Sequence, residues 1–241
     1  MKHLIVTADD FGRSPAVNAA VERLHCAGLV TQASLMVRAA HAAEAVAIAH
    51  RQPALRTGLH LTLCDDDPAR AGLRYFFRRK THVALAVEIA AQFTRFHALG
   101  LAPTYWDGHA HLHLHPTIFR LTLPIAHAHG FRATRLVREP GPPALLPWIF
   151  QALSRRALPA LRGLGIAGTD HVFGLRATGR VTGAVFARLL EQLPEGTSEI
   201  YFHPGAEPAA LDPAPLLEIV RRRGIQLGAP PAKTPSAPLR A

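Results

Sequence analysis

The sequence predicts an α/β fold, a single barrel-like domain of about seven parallel strands joined by helical crossovers and closed or nearly so. Three observations lead there. Strand-like and helix-like segments alternate about seven times along the chain, which is the pattern of repeated β–α units. The chain has 241 residues, 49% of them hydrophobic, which suits one barrel-sized core better than two small ones. Several strand-like runs end in carboxylates or histidines just before a helix begins, and in such folds the C-terminal strand ends converge on one rim.

Leu4-Ile5-Val6 is a short apolar run that reads as a buried first strand leading into Thr7-Ala8-Asp9-Asp10-Phe11-Gly12. Ser14 and Pro15, a hydroxyl cap and a proline suited to a first helical turn, open a helix to Ala27. Val17, Val21 and Leu24 share its inner face, and Gly28 stops it. Residues 33–37 form a second strand and 41–51 an alanine-rich second helix. Residues 57–63 form the third strand, which carries His60 inside an apolar stretch. Residues 65–80 show no clear period and read as an inserted loop. A helix over 83–99 places Leu85, Ile89, Phe93 and Phe96 at helical spacing.

Tyr105-Trp106-Asp107 closes a fourth strand and runs into Gly-His-Ala-His-Leu-His-Leu-His-Pro. A helix over 117–129, stopped by Gly130, and a fifth strand over 134–137 follow. Residues 140–168 contain no acid and hold Trp148, Arg155, Arg156 and Arg162. Residues 172–175 form a sixth strand, 181–193 a helix, and 199–202 a seventh strand entering His203-Pro204-Gly205. Asp212-Pro213 caps a last helix to Arg223, and 225–227 form a final short strand. The barrel domain is expected to span residues 1–228. A proline- and alanine-rich tail, 229–241, is expected to be disordered.

The formal charge is +10 with 15 histidines counted as neutral, a balance that favours anionic partners. The arginines are scattered, however, aromatics make up only 7%, and no helix-turn-helix, RNP or zinc-finger pattern is present, so no nucleic-acid partner is expected. No apolar run approaches the roughly 18 residues of a membrane span. The N-terminus enters strand-like sequence directly, so a cytoplasmic protein is expected, with a position at a membrane surface left open. Cys26 and Cys64 have no CxxC or knuckle spacing and read as reduced thiols without a catalytic role.

Three groups at strand ends carry the candidate chemistry. Asp9 and Asp10 would point to opposite faces of a regular strand. They share one site only if the strand breaks between them, for which Gly12 supplies local freedom. Otherwise both are solvated or cap the helix. His60 reads as a ligand or as a hydrogen-bonded core histidine. His109, His111, His113 and His115 alternate with small or apolar residues. In an extended run all four would face one way, which is more than a metal needs. One or two would then be functional and the others supporting or solvent-facing. His203, before Pro-Gly, fits a general acid or a turn histidine.

Convergence of these groups would place one carboxylate and two neutral imidazoles around a cation, with positions open for water and substrate. A bound divalent ion lowers the pKa of its water from about 15.7 to around 7. The second carboxylate would be free to accept that proton.

Thr-Ala-Asp-Asp-Phe-Gly (7–12), Gly-Leu-His-Leu-Thr-Leu (58–63), Asp-Gly-His-Ala-His-Leu-His-Leu-His-Pro (107–116) and Tyr-Phe-His-Pro-Gly (201–205) occur in that order. Together they resemble the YdjC-like carbohydrate deacetylases, also called the chitooligosaccharide deacetylase (ChbG) family, over residues 3 to about 228. Thr169-Asp170-His171-Val172-Phe173-Gly174 and Arg135-Leu136-Val137-Arg138-Glu139 look most like the hopanoid biosynthesis-associated branch (HpnK).

The resemblance implies a distorted (β/α) barrel of the polysaccharide-deacetylase type and a divalent metal. Zn²⁺ suits the imidazoles, with Mg²⁺ or Mn²⁺ as alternatives. It implies hydrolysis of an N-acetyl group on an amino sugar. By motif position, Asp9 would be the general base, and Asp10, His60 and His109 the metal ligands. His203 would protonate the leaving amine, and Arg135 would orient or charge-stabilise Asp9. The family usually has serine where this chain has Gly108. His115 stands where relatives carry an aromatic or apolar residue, so no role carries over to it.

The branch implies an N-acetylglucosamine-bearing lipid, with bacteriohopanetetrol as the carrier. Leu145, Leu146, Trp148, Ile149 and Phe150 beside arginines suit an interfacial segment over 140–168 at the inner face of the cytoplasmic membrane. The alternative is a core-facing helix plus loop. Soluble chitooligosaccharides are the other substrate implied.

Other classes compete. Asp-x-His-x-His is similar to amidohydrolases and histidinol-phosphatase-like phosphoesterases, which place it on their first strand, whereas here it follows the fourth. Two histidines and a carboxylate also fit non-haem Fe(II) oxygenases, which usually sit on an antiparallel core. A basic lipid- or nucleic-acid-binding protein would leave the acid pair without a purpose.

Overall fold

Strand β1 (Lys2–Phe11) is buried from Leu4 onward, as expected of a central parallel strand covered on both faces. Leu4, Val6 and Ala8 are fully buried on one side. Thr7 and Asp9 on the other side reach polar partners inside the sheet. The computed structural model describes residues 1–64, 81–205 and 210–230.

Ser14 caps α1 (Pro15–Cys26) by accepting from the Val17 amide, and Val17, Val21 and Leu24 are its buried face. The chain then runs through β2 (Gln32–Leu35), α2 (Ala42–Arg51), β3 (Arg56–Leu61) and α3 (Thr81–Ala98). After β4 (Trp106–Gly108) comes a short 3₁₀ segment (His109–Leu114), then α4 (Pro116–Ala128) and β5 (Ala133–Thr134). The second half holds α5 (Leu145–Gly163), β6 (Ala167–Gly168), β7 (His171–Phe173), α6 (Gly183–Glu191), β8 (Gly196–Phe202), α7 (Pro213–Arg222) and β9 (Gln226–Leu227).

All strand pairs are parallel, in the order β6-β5-β4-β3-β2-β1-β8-β7, with β9 also pairing β1. The sheet curls into a half-barrel with helices alternating along it, the α/β barrel-like class that the sequence predicts. A backbone bond from the Val172 amide to the Arg138 carbonyl (3.2 Å) ties edge strand β7 to the chain just after β5. Aromatic side chains fill the space under the helices: Phe93 meets Phe131 edge-on at 5.0 Å, and Phe131 lies near Trp106 and Phe96.

Besides shifted bounds, such as β5 at Ala133–Thr134 where 134–137 is expected and β7 at His171–Phe173 where 172–175 is expected, two elements differ from the sequence reading. β6 is a two-residue pair, too short to leave any period in the sequence. The acid-free stretch holds one 19-residue helix, α5, of which Pro147, Ser154, Ala157 and Leu161 are buried. Leu145 is 74% exposed and Trp148 65%. The inserted loop expected over 65–80 and residues 231–241 of the expected tail lie outside the described residues.

Candidate active site

Asp9 and Asp10 are each only 2% exposed. The pairing of β1 with β2 shifts register between Ala8 and Phe11, and Asp10 itself has φ of 60°. The expected break thus falls on Asp10, in a left-handed conformation that aspartate tolerates better than most residues. Gly12 follows at φ 95° and donates its amide to Asn18 Oδ1 at 2.8 Å. Strand alternation is cancelled at this point, and both acids face the barrel's rim.

Asp10 meets the two histidines there. Its Oδ1 lies 3.1 Å from His109 Nδ1 and 3.4 Å from His60 Nε2, while Oδ2 accepts from Arg13 at 2.6 Å. One ligand atom from each of Asp10, His60 and His109 falls within 4.8 Å of the others, so this cluster could hold a metal ion. The donor set fits one. His60 Nε2 is buried without a hydrogen-bond partner, while its Nδ1 is 2.6 Å from Asp107 Oδ1. A buried imidazole nitrogen with no close hydrogen-bond partner, 3.4 Å from a carboxylate, is what a cation site offers. Burial alone would push the His60 pKa down, but Asp107 and then Asp10 outweigh it and raise it to about 10. Burial likewise works to raise the Asp10 carboxyl, and the neighbouring His109 and His60 hold it well below the usual range.

Arg135 organises the remaining acids. Its two terminal nitrogens grip Asp9 at 2.7 and 2.8 Å, Nη2 lies 2.9 Å from Asp107 Oδ2, and Nε donates to Glu199 at 2.9 Å. The guanidinium also stacks 4.6 Å from the Tyr201 ring centroid. Burial pushes the Glu199 carboxyl up despite Arg135. Asp9, Asp10, Asp107 and Glu199 thus face two guanidinium groups, the buried Arg135 and the exposed Arg13. Buried charge needs compensation, and a divalent ion supplies what two guanidinium groups leave over.

The histidine run does not extend as a strand. Ala110 and His111 have φ of 53° and 57° within the 3₁₀ segment, so the four side chains part company. His109 reaches Asp10, His111 Nε2 pairs with the Tyr201 hydroxyl at 2.9 Å, and His113 Nε2 donates to the Arg135 carbonyl at 2.9 Å. Burial pushes His113 down to about 4 and His111 well below its ordinary value, and both brace the rim through these bonds. His115 stands immediately before Pro116, where α4 begins.

Asp9, His60, His111, Tyr201 and His203 open onto one cavity of about 470 Å³, whose outer wall is Leu112, Leu146, Phe150 and Leu175. That size takes a small-molecule ligand. His203 follows β8, and its ring lies 6.0 Å from that of Tyr201. Asp107, Glu199 and Tyr201 were not singled out from sequence. The available signal was for Asp107: it ends one strand as His60 nears the end of the next, and the two stand opposite each other in the β3–β4 register.

A family model described as YdjC-like protein matches residues 3–226. A carbohydrate deacetylase of Brevibacillus brevis is 34% identical over 216 residues, covering 83% of this chain and 80% of that protein. A chitooligosaccharide deacetylase of Serratia marcescens is 35% identical over 154 residues, covering 57% and 60%. Among solved structures, a proposed cellobiose-phosphate cleavage protein of Enterococcus faecalis matches with a TM-score of 0.70 at 21% identity. That match covers 94% of this chain and 97% of the other, and it is a likeness of fold.

Proposed function

The chain belongs to the YdjC-like protein family, and from that premise we propose that it is a metal-dependent N-deacetylase acting on an N-acetylated amino sugar. The observation that carries this reading is the meeting of Asp9, clamped by Arg135, with the Asp10–His60–His109 cluster at one cavity.

A divalent ion held by Asp10, His60 and His109, with Zn²⁺ favoured by the imidazoles and Mg²⁺ or Mn²⁺ as alternatives, would acidify a water and polarise the acetyl carbonyl. The protein's own groups do the rest. Arg135 fixes both oxygens of Asp9, and the lone pairs that remain can take a proton from the attacking water. The water oxygen bonds to the acetyl carbon, the C–N bond breaks, and His203 gives its proton to the departing amine. Acetate and a free amino sugar result. Residues 1–228 would form the single domain that does this.

The branch motifs extend the proposal to a lipid-linked N-acetylglucosamine, with bacteriohopanetetrol as carrier and soluble chitooligosaccharides as the alternative. Leu146 and Phe150 wall the cavity while Leu145 and Trp148 of the same helix face solvent. An apolar group on the substrate would have a surface to follow out of the cavity. Such a protein would work in the cytoplasm, touching the inner face of the membrane peripherally. Among the described residues no helix is long and apolar enough to cross a membrane.

The test is acetate release by metal-loaded protein from N-acetylglucosaminyl-bacteriohopanetetrol and from chitooligosaccharides. Release from the lipid alone supports the branch, and release from the soluble sugar alone keeps the deacetylase and discards the lipid. Release from neither turns the reading toward a metal-dependent phosphoesterase.

A further inference from the structure

We propose that Asp107 is a positioning residue that fixes the His60 ring, so that Nε2 faces the cation site and gives up its proton where metal binds. This role rests on the metal reading above. Asp107 and His60 are 0% and 1% exposed, and they stand opposite each other in the β3–β4 register. Their 2.6 Å contact is therefore set by the backbone ladder as well as by side-chain rotamers. An imidazole that donates its Nδ1 proton to a carboxylate keeps the tautomer whose Nε2 lone pair can bind metal. Nε2, which has no hydrogen-bond partner of ordinary length, is left facing Asp10 Oδ1 at 3.4 Å, where a cation would sit between them.

Asp107 is itself held on its other oxygen. Oδ2 accepts from Ser34 Oγ at 2.7 Å and lies 2.9 Å from Arg135 Nη2. Ser34 in turn lies 2.9 Å from the Tyr105 hydroxyl. With donors on both oxygens the carboxylate cannot turn to serve as a ligand without abandoning them. Asp9, His60 and Asp107 also gather within ligand distance, but Arg135 Nη2 bonds both acids of that trio, at 2.7 Å to Asp9 and 2.9 Å to Asp107. Asp107 thus links the ligand side of the site to the base side through one guanidinium nitrogen.

The test compares Co²⁺ binding and the visible Co²⁺ spectrum in wild type, Asp107→Asn and Ser34→Ala. The asparagine keeps the shape, but its amide can donate to Nδ1 and so favours the tautomer with a proton on Nε2. Folded Asp107→Asn, checked by circular dichroism, is expected to bind Co²⁺ about 10–100-fold more weakly with an altered spectrum. Ser34→Ala is expected to lose a few-fold in the same direction, by about 3-fold. Wild-type affinity and spectrum in folded Asp107→Asn overturn the proposal. Should Asp107→Asn not fold, unchanged affinity in Ser34→Ala overturns it, and weakened affinity with an altered spectrum supports it. If the wild type itself takes up no Co²⁺, the metal reading falls and this role with it.

Discussion

Arg135 holds Asp9 with both terminal nitrogens, at 2.7 and 2.8 Å, while its Nε turns away to Glu199 at 2.9 Å. The guanidinium is 1% exposed, so its removal leaves Asp9 buried without its paired cation and leaves Asp107 with only His60. Breaking such a pair costs about 3–5 kcal/mol. Arg135→Met is expected to lose that much in chemical denaturation. Arg135→Lys should recover part of the stability, since a point charge cannot reproduce the fork.

The metal-free protein should carry a characteristic pH dependence. Asp107 and Asp10 push His60 up to about 10 in the folded state, against about 6.5 when unfolded. A raised pKa means the folded state holds the proton more tightly. This stabilisation is full below about 6.5, declines as pH rises, and is gone above about 10. Asp10, held below the usual carboxylate range, adds stability that is lost as the medium becomes acidic. Denaturation of chelator-treated protein should show stability falling across the alkaline window. His60→Gln should flatten that slope, and so should added Zn²⁺, because ligation at Nε2 displaces the proton.

Gly58 makes room for Tyr105. A Cβ built there would lie 2.4 Å from both the Tyr105 ring and its carbonyl oxygen, so Gly58→Ala must push the ring off Ser34. Overpacking of this kind costs about 1–3 kcal/mol. The loss would be read as a lower denaturation midpoint at unchanged m-value.

Leu145 and Trp148 face solvent near the cavity mouth. Replacing both with serine is expected to reduce co-sedimentation with anionic liposomes while leaving turnover of a soluble substrate within about two-fold. Undiminished co-sedimentation would remove the membrane contact from the account.

Much of this architecture was legible in the sequence, because strand and helix alternate and because caps such as Ser14 and Asp212 act locally. The acid pair, His60 and His109 stood out as chemically unusual at strand ends. What was not legible depends on long-range packing. The parting of His109, His111 and His113 follows from two non-glycine residues at positive φ, a conformation that no residue type there announces. Glu199 looked like an ordinary strand residue, and only the neighbouring strands reveal it as a partner of Thr7 and Arg135. Asp107 marked a strand end, and its role emerged only when β4 was set beside β3.

The central claim is a division of labour between adjacent acids, Asp10 holding the metal and Asp9 moving the proton. It is tested by measuring bound Zn²⁺ and acetate release side by side in wild type, Asp9→Asn and His109→Ala. The account predicts full metal occupancy with a turnover loss of at least about 100-fold in Asp9→Asn, and lost metal in His109→Ala. Equal metal loss in both variants, or near-normal turnover in Asp9→Asn, would contradict it.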